Sequence, residues 1–287
     1  MRKGYLRGLL RGRLPPEELG RLPAGFQRVG HVALLRLPPE LWERRREIGE
    51  ALVGRNGIRT VAVLRGVEGR ERRPEAEVVA GDPETVTLHR EHGCFFRLDP
   101  LRVLFSPGNL HERGRLPRLV KPGEVVVDLF AGVGQFSLPI ARLARPSRVY
   151  AVELNPLAYR YLCENVRLNG LGEVVVPLLG DCERVAPRGV ADRVILGILH
   201  VTHRYLPLAG EVLKPSGGFL HYHESVPAPL QFTRPVERVR AAFPGREVEI
   251  LGVRRVKKYS PGVVHVVVDA RVGPATFKAR AEGEGGC

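Results

Sequence analysis

The sequence predicts an α/β protein preceded by a smaller α+β domain, and three observations carry that reading. From about Lys121 apolar strands alternate with amphipathic helices. Those strands are almost continuously apolar, as in a parallel sheet covered on both faces. The alternation closes on two long strands in succession, a terminal hairpin.

The elements follow in order. Residues 1–30 are rich in Arg and Gly, contain Pro15-Pro16 and show little apolar periodicity; a basic arm, ordered or frayed, is expected there. HVALLRL from His31 reads as a strand, Pro38 to Val53 as a helix opened by prolines, and RTVAVLRG as a second strand. A polar Arg/Glu stretch, Val67 to Glu77, precedes three short strands, EVVAG, TVTLHREHG and CFFRLD. Residues 31–104 are therefore a small α+β domain, too poor in helix for a doubly wound sheet. Residues 105–273 form the larger domain. Its strands are EVVVDLF, RVYAVEL, EVVVPLLGD, ADRVILGI, GGFLHYHESV, VEILGVRRVKKYS and VVHVVVDARV. Its helices are QFSLPIARLA, PLAYRYLCENVRLNG, Val201 to Leu213 and RPVERVRAAF. Residues 274–287 are small and polar, a tail expected to fray.

Composition narrows the partners. The 287 residues carry 45 Lys+Arg against 31 Asp+Glu, a formal charge of +14, which favours a polyanion because each neutralised phosphate releases a counterion. Only six of the basic residues are lysine. Arginine's planar fork suits phosphate, although a GC-rich genome would give the same bias. Cys94, Cys163, Cys182 and Cys287 form no CxxC pair, so neither structural zinc nor a disulfide framework is expected. There is no signal peptide pattern and no apolar run long enough for a membrane span, which predicts a cytoplasmic protein. Nothing fixes the oligomeric state; a monomer is the working expectation.

The chemistry centres on VVVDLFAGVGQFSLPIA. A strand ends in Asp128, the loop Phe130-Ala131-Gly132-Val133-Gly134 follows, and a helix begins. Two glycines let the backbone turn and approach a ligand without a Cβ in the way. A dinucleotide site would use the same design, but Ser137 stands where the full pattern needs Gly or Ala. Asp128 at the strand tip would repel a pyrophosphate and attract an ammonium. S-adenosylmethionine has that ammonium and no phosphate. Glu153, ending the next strand, can accept both ribose hydroxyls, and Gly180-Asp181-Cys182 after the third strand can meet the adenine edge. The expected cofactor-binding residues here are Asp128, Phe130, Gly132, Gly134, Glu153, Asp181 and Cys182.

DLFAGVGQFSLP, AVELNPLAYRYLCENVRLNG and GDCERVAPRGVADRVILG resemble the Rossmann-like, class I S-adenosylmethionine-dependent domain of two sister tRNA families. One is the guanine-N1 methyltransferase that modifies the guanosine 3′ of the anticodon. The other is the wybutosine-pathway aminocarboxypropyltransferase, which acts on the tricyclic base built from that guanosine. The resemblance runs from about His31 to Val272. The methyltransferase carries Asn-Leu-Pro after its fourth strand, where this sequence has Gly197-Ile198-Leu199-His200-Val201-Thr202-His203. FSPGNLHERGRL (Phe105 to Leu116) is similar to the aminocarboxypropyltransferase, with Gly108-Asn109 where the methyltransferase has arginine, and FLHYHESV, RPVERV and VKKYSPGVVHVVVDA point the same way.

The resemblance to that second family implies transfer of the 3-amino-3-carboxypropyl group of S-adenosylmethionine to a demethylwyosine-type base in tRNA, releasing methylthioadenosine. It also implies cofactor contacts from Ser106 and Arg113, the latter a fork for the carboxylate, and a substrate contact from Asn109. Guanine-N1 methylation of the same nucleoside is the alternative, and an RNA chaperone that binds cofactor without chemistry is a third reading. The sulfonium activates three carbons alike, so orientation decides the product.

His200 is a candidate to take a proton from the base. His200/His203 and His221/His223, with His265, invite a metal reading. No HExxH completes it and no cysteine lies near in sequence, so hydrogen-bonding roles are expected. Arg254-Arg255-Val256-Lys257-Lys258 is the candidate tRNA backbone contact, with Lys257 and Lys258 at its centre and Arg234, Arg238 and Arg240 as an extension. A solvated strand edge explains the same residues. The small N-terminal domain is a further candidate to touch tRNA.

Overall fold

A computed structural model describes residues 4–275. Most of the expected tail, with Cys287, lies outside the described residues. The chain forms two compact units, residues up to 123 with 130–185, and residues 124–129 with those from 186 on.

Helices α1 (Tyr5–Leu10) and α2 (Pro16–Arg21) open the first unit, followed by β1 (Gln27–Val29), β2 (Val32–Leu35), a 3-10 turn over Pro39–Arg44, α3 (Arg45–Glu50), β3 (Thr60–Glu68) and β4 (Arg73–Gly81). The four strands make one sheet in the order β1-β2-β3-β4, with β2 and β3 parallel and the outer pairs antiparallel. Leu6, Leu10, Leu14 and Leu22 are buried in one apolar cluster with Leu35, Leu41, Ile48, Leu52, Val61 and Val63. Residues 1–30 were expected as a basic arm, ordered or frayed; from α1 onward their leucines pack into this cluster. Burying four leucines contributes on the order of 6–12 kcal/mol against exposure, at about 1.5–3 kcal/mol each, more than two six-residue helices would hold alone.

The polar stretch Val67 to Glu77 is also strand, the outer ends of β3 and β4. Its alternating polar residues belong to a hairpin whose tip is Gly69 to Arg72. The hairpin β5 (Thr87–Glu91) and β6 (Cys94–Leu98) makes its own two-stranded sheet, joined through His92 and Gly93, both at positive φ (47° and 75°), a two-residue primed turn. The hairpin is fastened to a later helix, described below.

Helix α4 (Leu110–Arg115) leads to the strands of the large sheet: β7 (Val125–Asp128), β8 (Arg148–Glu153), β9 (Val175–Leu179), β10 (Arg193–Leu196), β11 (Gly218–Pro227), β12 (Val248–Ser260) and β13 (Val263–Val272). Their order is β12-β13-β11-β10-β7-β8-β9. β10 runs parallel to β7 and β11, β8 runs parallel to β9, and β13 is antiparallel to both of its neighbours. Helices α5 (Ser137–Ala144) and α6 (Pro156–Leu168) and the short α7 (Cys182–Val185) belong to the first unit; α8 (Leu206–Val212) and α9 (Arg234–Ala241) belong to the second. This is the mixed α/β sheet with a terminal hairpin that the sequence predicts.

Candidate active site

In the first unit the glycine loop is shaped by backbone requirements. Gly132 sits at φ +58° and Gly134 at φ +96°. A Cβ on Gly134 would lie 2.7 Å from Leu138 Cγ, so helix and loop pack only because none is there. A Cβ on Gly132 would meet nothing closer than Gln135 Nε2 at 3.5 Å, so it would project into open space over the loop. Ala131 N–H donates to Val152 O at 2.8 Å, and Gly132 N–H donates to Glu153 Oε2 at 2.7 Å. Asn155 N–H takes the other carboxylate oxygen at 2.7 Å. Burial raises the Glu153 carboxyl above its ordinary value, and N–H donation from Asn155, Gly132 and Leu154 offsets part of that. Asn155 also caps α6, its Oδ1 accepting from Leu157 N–H at 2.9 Å.

Asp181 follows β9. Its Oδ1 accepts from Glu183 N–H, and its Oδ2 pairs with Arg70 Nη2 at 2.9 Å. Arg70 comes from the tip of the β3–β4 hairpin, and Glu71 O at the same tip accepts from Asn155 Nδ2 at 3.2 Å. Cys182 is buried, which pushes its thiol up to about 12 and makes it a poor nucleophile. Phe130 is half-buried.

The segment Phe105 to Leu116 departs from expectation at Arg113. A free fork for a cofactor carboxylate was expected; Arg113 is 1% exposed and its guanidinium is engaged. Nε pairs with Glu91, Nη2 donates to Glu91 Oε2 at 2.8 Å, and Nη1 donates to Ser106 O at 2.6 Å and Gln135 Oε1 at 3.2 Å. A buried cation needs its partner close, and Glu91 supplies it. Burial alone would raise Glu91, but hydrogen bonds from His89 and Arg113 and the Arg113 charge hold it at about 2. Arg113 thus fastens the Ser106 backbone to Gln135, which donates to Leu104 O at 3.0 Å. Asn109 is buried, and its Oδ1 has no hydrogen-bond partner among the described residues. An orphaned acceptor costs about 1–3 kcal/mol unless something meets it.

Two residues that sequence reasoning missed tie α6 to the β5–β6 hairpin, and one of them also holds the glycine loop. Asn165 Nδ2 donates to Val133 O at 3.1 Å, and its side chain exchanges hydrogen bonds with the Arg97 backbone at 2.7 and 3.1 Å. Asn169, one turn on, does the same with Phe95, at 2.9 and 2.7 Å. Two asparagines four apart on one helix face, just before Gly170, are the signal that could have revealed this pairing with β6.

In the second unit Asp128 ends β7, fully buried, in register with Ile195. The loop after β10 holds His200 at φ 73°, a left-handed conformation uncommon outside glycine. Its Nε2 lies 2.8 Å from Tyr259 Oη and its Nδ1 3.0 Å from Ser225 Oγ. Its ring meets the Tyr259 ring edge-on at 5.0 Å between centroids. His221, His223 and His265 make hydrogen bonds within the fold. Arg193 is paired with Glu124 at 2.8 and 3.0 Å and donates from Nη1 to His221 Nε2 at 2.7 Å. That fixes the His221 proton on Nδ1, which donates to Asp269 Oδ1 at 2.6 Å. His223 and His265 share one hydrogen bond of 2.9 Å, and burial with a nearby Lys257 holds His265 at about 3. Among the described residues no group of three or more His, Cys, Asp or Glu could hold a metal ion.

The basic patch is smaller than expected. Arg234 and Arg238 turn to Glu224, which is 1% exposed, at 2.9 and 2.5 Å, and Tyr222 Oη donates to the same carboxylate at 2.7 Å. Their charges are spent inside the fold, a correction forced by a buried acid that needs cations. Arg240, Arg254, Arg255 and Lys258 are exposed and Lys257 is half-buried, the last four on β12.

The residues fit S-adenosylmethionine. Space over Gly132 lets backbone and ligand approach, and Glu153, held by two N–H donors, presents its carboxylate at the second strand's tip. An α/β sheet with a glycine loop after one strand and an acid ending the next is the frame of a nucleoside-cofactor-dependent transferase. Residues 87–251 match the TRM5/TYW2 methyltransferase domain and residues 6–85 the TYW2 N-terminal domain. The chain belongs to the TRM5/TYW2 family. It is 42% identical over 249 residues, 86% of this chain and 97% of the relative, to the tRNA(Phe) (4-demethylwyosine(37)-C(7)) aminocarboxypropyltransferase of Methanocaldococcus jannaschii. It is 37% identical to the tRNA (guanine(37)-N(1))-methyltransferase Trm5b of Pyrococcus abyssi, over 90% of this chain and 78% of that one. The crystal structure of TYW2 from Pyrococcus horikoshii in complex with MeSAdo superposes with a TM-score of 0.79 at 37% identity, covering 93% of this chain and 98% of that one. The N-terminal match begins at residue 6, in keeping with α1 and α2 as part of that domain.

Proposed function

We propose that this chain is a tRNA aminocarboxypropyltransferase, which joins the 3-amino-3-carboxypropyl group of S-adenosylmethionine to a 4-demethylwyosine-type base 3′ of the anticodon. The observation that carries the reading is the near full-length match, at 42% identity, to an enzyme named for that reaction. The loop Gly197 to His203 supports it: no amide side chain stands there to bond a guanine edge, as the methyltransferase reading would want.

When bound, S-adenosylmethionine supplies an activated carbon next to its sulfonium, and methylthioadenosine is what remains. The chain's own residues bind and orient. Glu153 accepts the ribose hydroxyls, Asp128 the ammonium, and Asp181 with the Cys182 backbone faces the adenine edge; Gly132 and Gly134 allow close approach beside Phe130. Ser106 belongs to the segment that meets the amino-acid end. Arg113 holds that segment in place through Glu91 and Gln135 rather than offering its own fork. Asn109, with its unmet acceptor, is assigned to the substrate. Lys257 and Lys258 on the sheet edge take RNA phosphate, and the proton released when the modified base reacts ends on His200. A tRNA substrate supports a cytoplasmic location; no described helix is long and apolar enough to cross a membrane.

The test is the nucleoside left behind after turnover with 4-demethylwyosine-containing tRNA. Methylthioadenosine supports the reading. S-adenosylhomocysteine would replace it with methyl transfer.

A further inference from the structure

His200 cannot meet a substrate with a bare ring nitrogen in the conformation seen, because each nitrogen already faces a hydroxyl: Nε2 faces Tyr259 Oη at 2.8 Å and Nδ1 faces Ser225 Oγ at 3.0 Å. The chain commits to this arrangement. His200 sits at φ 73°, a left-handed conformation that a non-glycine residue adopts only at a cost. Ser225 is fixed on β11, its carbonyl accepting from Arg234 Nη2 at 3.1 Å. Tyr259 stands near the end of β12 at the register shift between Lys258 and Ser260, an irregularity of the kind that re-aims a side chain. Tyr259 and His200 are both exposed, Tyr259 to 39%, but both imidazole nitrogens are engaged, so the phenol oxygen is the group of the pair that a substrate can reach.

Resting on the function proposed above, we infer that Tyr259 is the catalytic residue that touches the base, and that His200 and Ser225 are positioning residues acting through it as a proton relay. When the ring carbon of the base bonds the transferred carbon, the carbon–sulfur bond breaks and its electron pair leaves on sulfur. The ring carbon then carries a proton it must lose to recover the aromatic ring. Tyr259 Oη takes that proton while passing its own to His200 Nε2, and the imidazolium keeps its Nδ1–H on Ser225 Oγ. One proton enters at the phenol and one leaves it, so tyrosine is unchanged and the charge rests on His200, to be lost to water. No oxidant or further reactant is needed.

The relay requires the neutral His200 to carry its proton on Nδ1, with Nε2 accepting from the phenol. Nitrogen-15 NMR of the full chain without ligands reads this directly: the Nδ1–H tautomer is expected, and an Nε2–H tautomer overturns the relay. Tyr259→Phe keeps the ring and removes only the oxygen. Single-turnover transfer should fall at least tenfold in this variant, with S-adenosylmethionine and tRNA affinities within twofold of the parent. His200→Ala should cost a similar factor, and the double variant should be no slower than the slower single one. Transfer by Tyr259→Phe at the parental rate, or additive losses in the double variant, would also overturn it. The label found in the RNA product is followed in the same reactions. A methyl product from the parent protein sinks the aminocarboxypropyl reading, whereas an intact rate in Tyr259→Phe sinks the relay.

Discussion

Gly132 N–H donates to Glu153 Oε2 across 2.7 Å, so the acid that ends β8 is held by the loop it helps to shape. Loop and acid form one unit. Gly132→Ala forces a Cβ onto a backbone at φ +58° and into the open space above the loop. S-adenosylmethionine affinity should drop at least tenfold by calorimetry, with the circular dichroism spectrum unchanged. Parental affinity in that variant would remove Gly132 from the site.

Glu153 gives the site a pH dependence. Burial raises its pKa above 4.5, so its protonated form is favoured in the fold and the stability that form contributes is lost as pH rises through the folded value. Acceptance of two ribose hydroxyls needs the ionised form. Cofactor affinity should therefore weaken as pH falls, with a midpoint above 4.5, and Glu153→Gln should bind weakly with a flat profile. A titration in which Glu153→Gln keeps the parental profile would assign the ionisation elsewhere.

Arg70 pairs with the carboxylate proposed to meet the adenine edge. Arg70 is 71% exposed and such pairs contribute about 0.2–1 kcal/mol, so the cofactor has little to displace. Arg70→Ala should tighten S-adenosylmethionine binding by up to about fivefold at low salt, the equivalent of about 1 kcal/mol. Unchanged or weaker binding would show that Asp181 keeps Arg70 when the cofactor is bound.

Lys257 and Lys258 are proposed to take RNA phosphate. Reversing both charges should weaken tRNA binding and lower the slope of log affinity against log salt by about two. Cofactor affinity should stay as it was. An unmoved slope would leave β12 as a solvated sheet edge.

The sequence made the large sheet legible because its strands are long and apolar. Val248–Ser260 and Val263–Val272 carry the bounds their pattern predicts. Asp128 and Glu153 were legible as strand tips, and Asp181 as lying just past one, because the alternation fixes where strands end. The N-terminal helices were not, since each has only six residues and, of the buried leucines, Leu6 and Leu10 lie in the first helix while Leu14 and Leu22 lie in the turns around the second, too scattered to show a period. Nor was the Arg113–Glu91 pair, whose partners are far apart in sequence and belong to a loop-flanked helix and a hairpin. The same holds for Arg234 and Arg238: a cation facing a buried acid and one facing a phosphate look alike until Glu224 is placed.

The identity of the transferred group separates the two sister activities. Parallel reactions with S-adenosylmethionine labelled in its methyl group or in its carboxyl group, on tRNA carrying 4-demethylwyosine, read it directly. Carboxyl label in the RNA with no methyl label is the predicted result. Methyl label without carboxyl label would contradict the account and make the chain a methyltransferase.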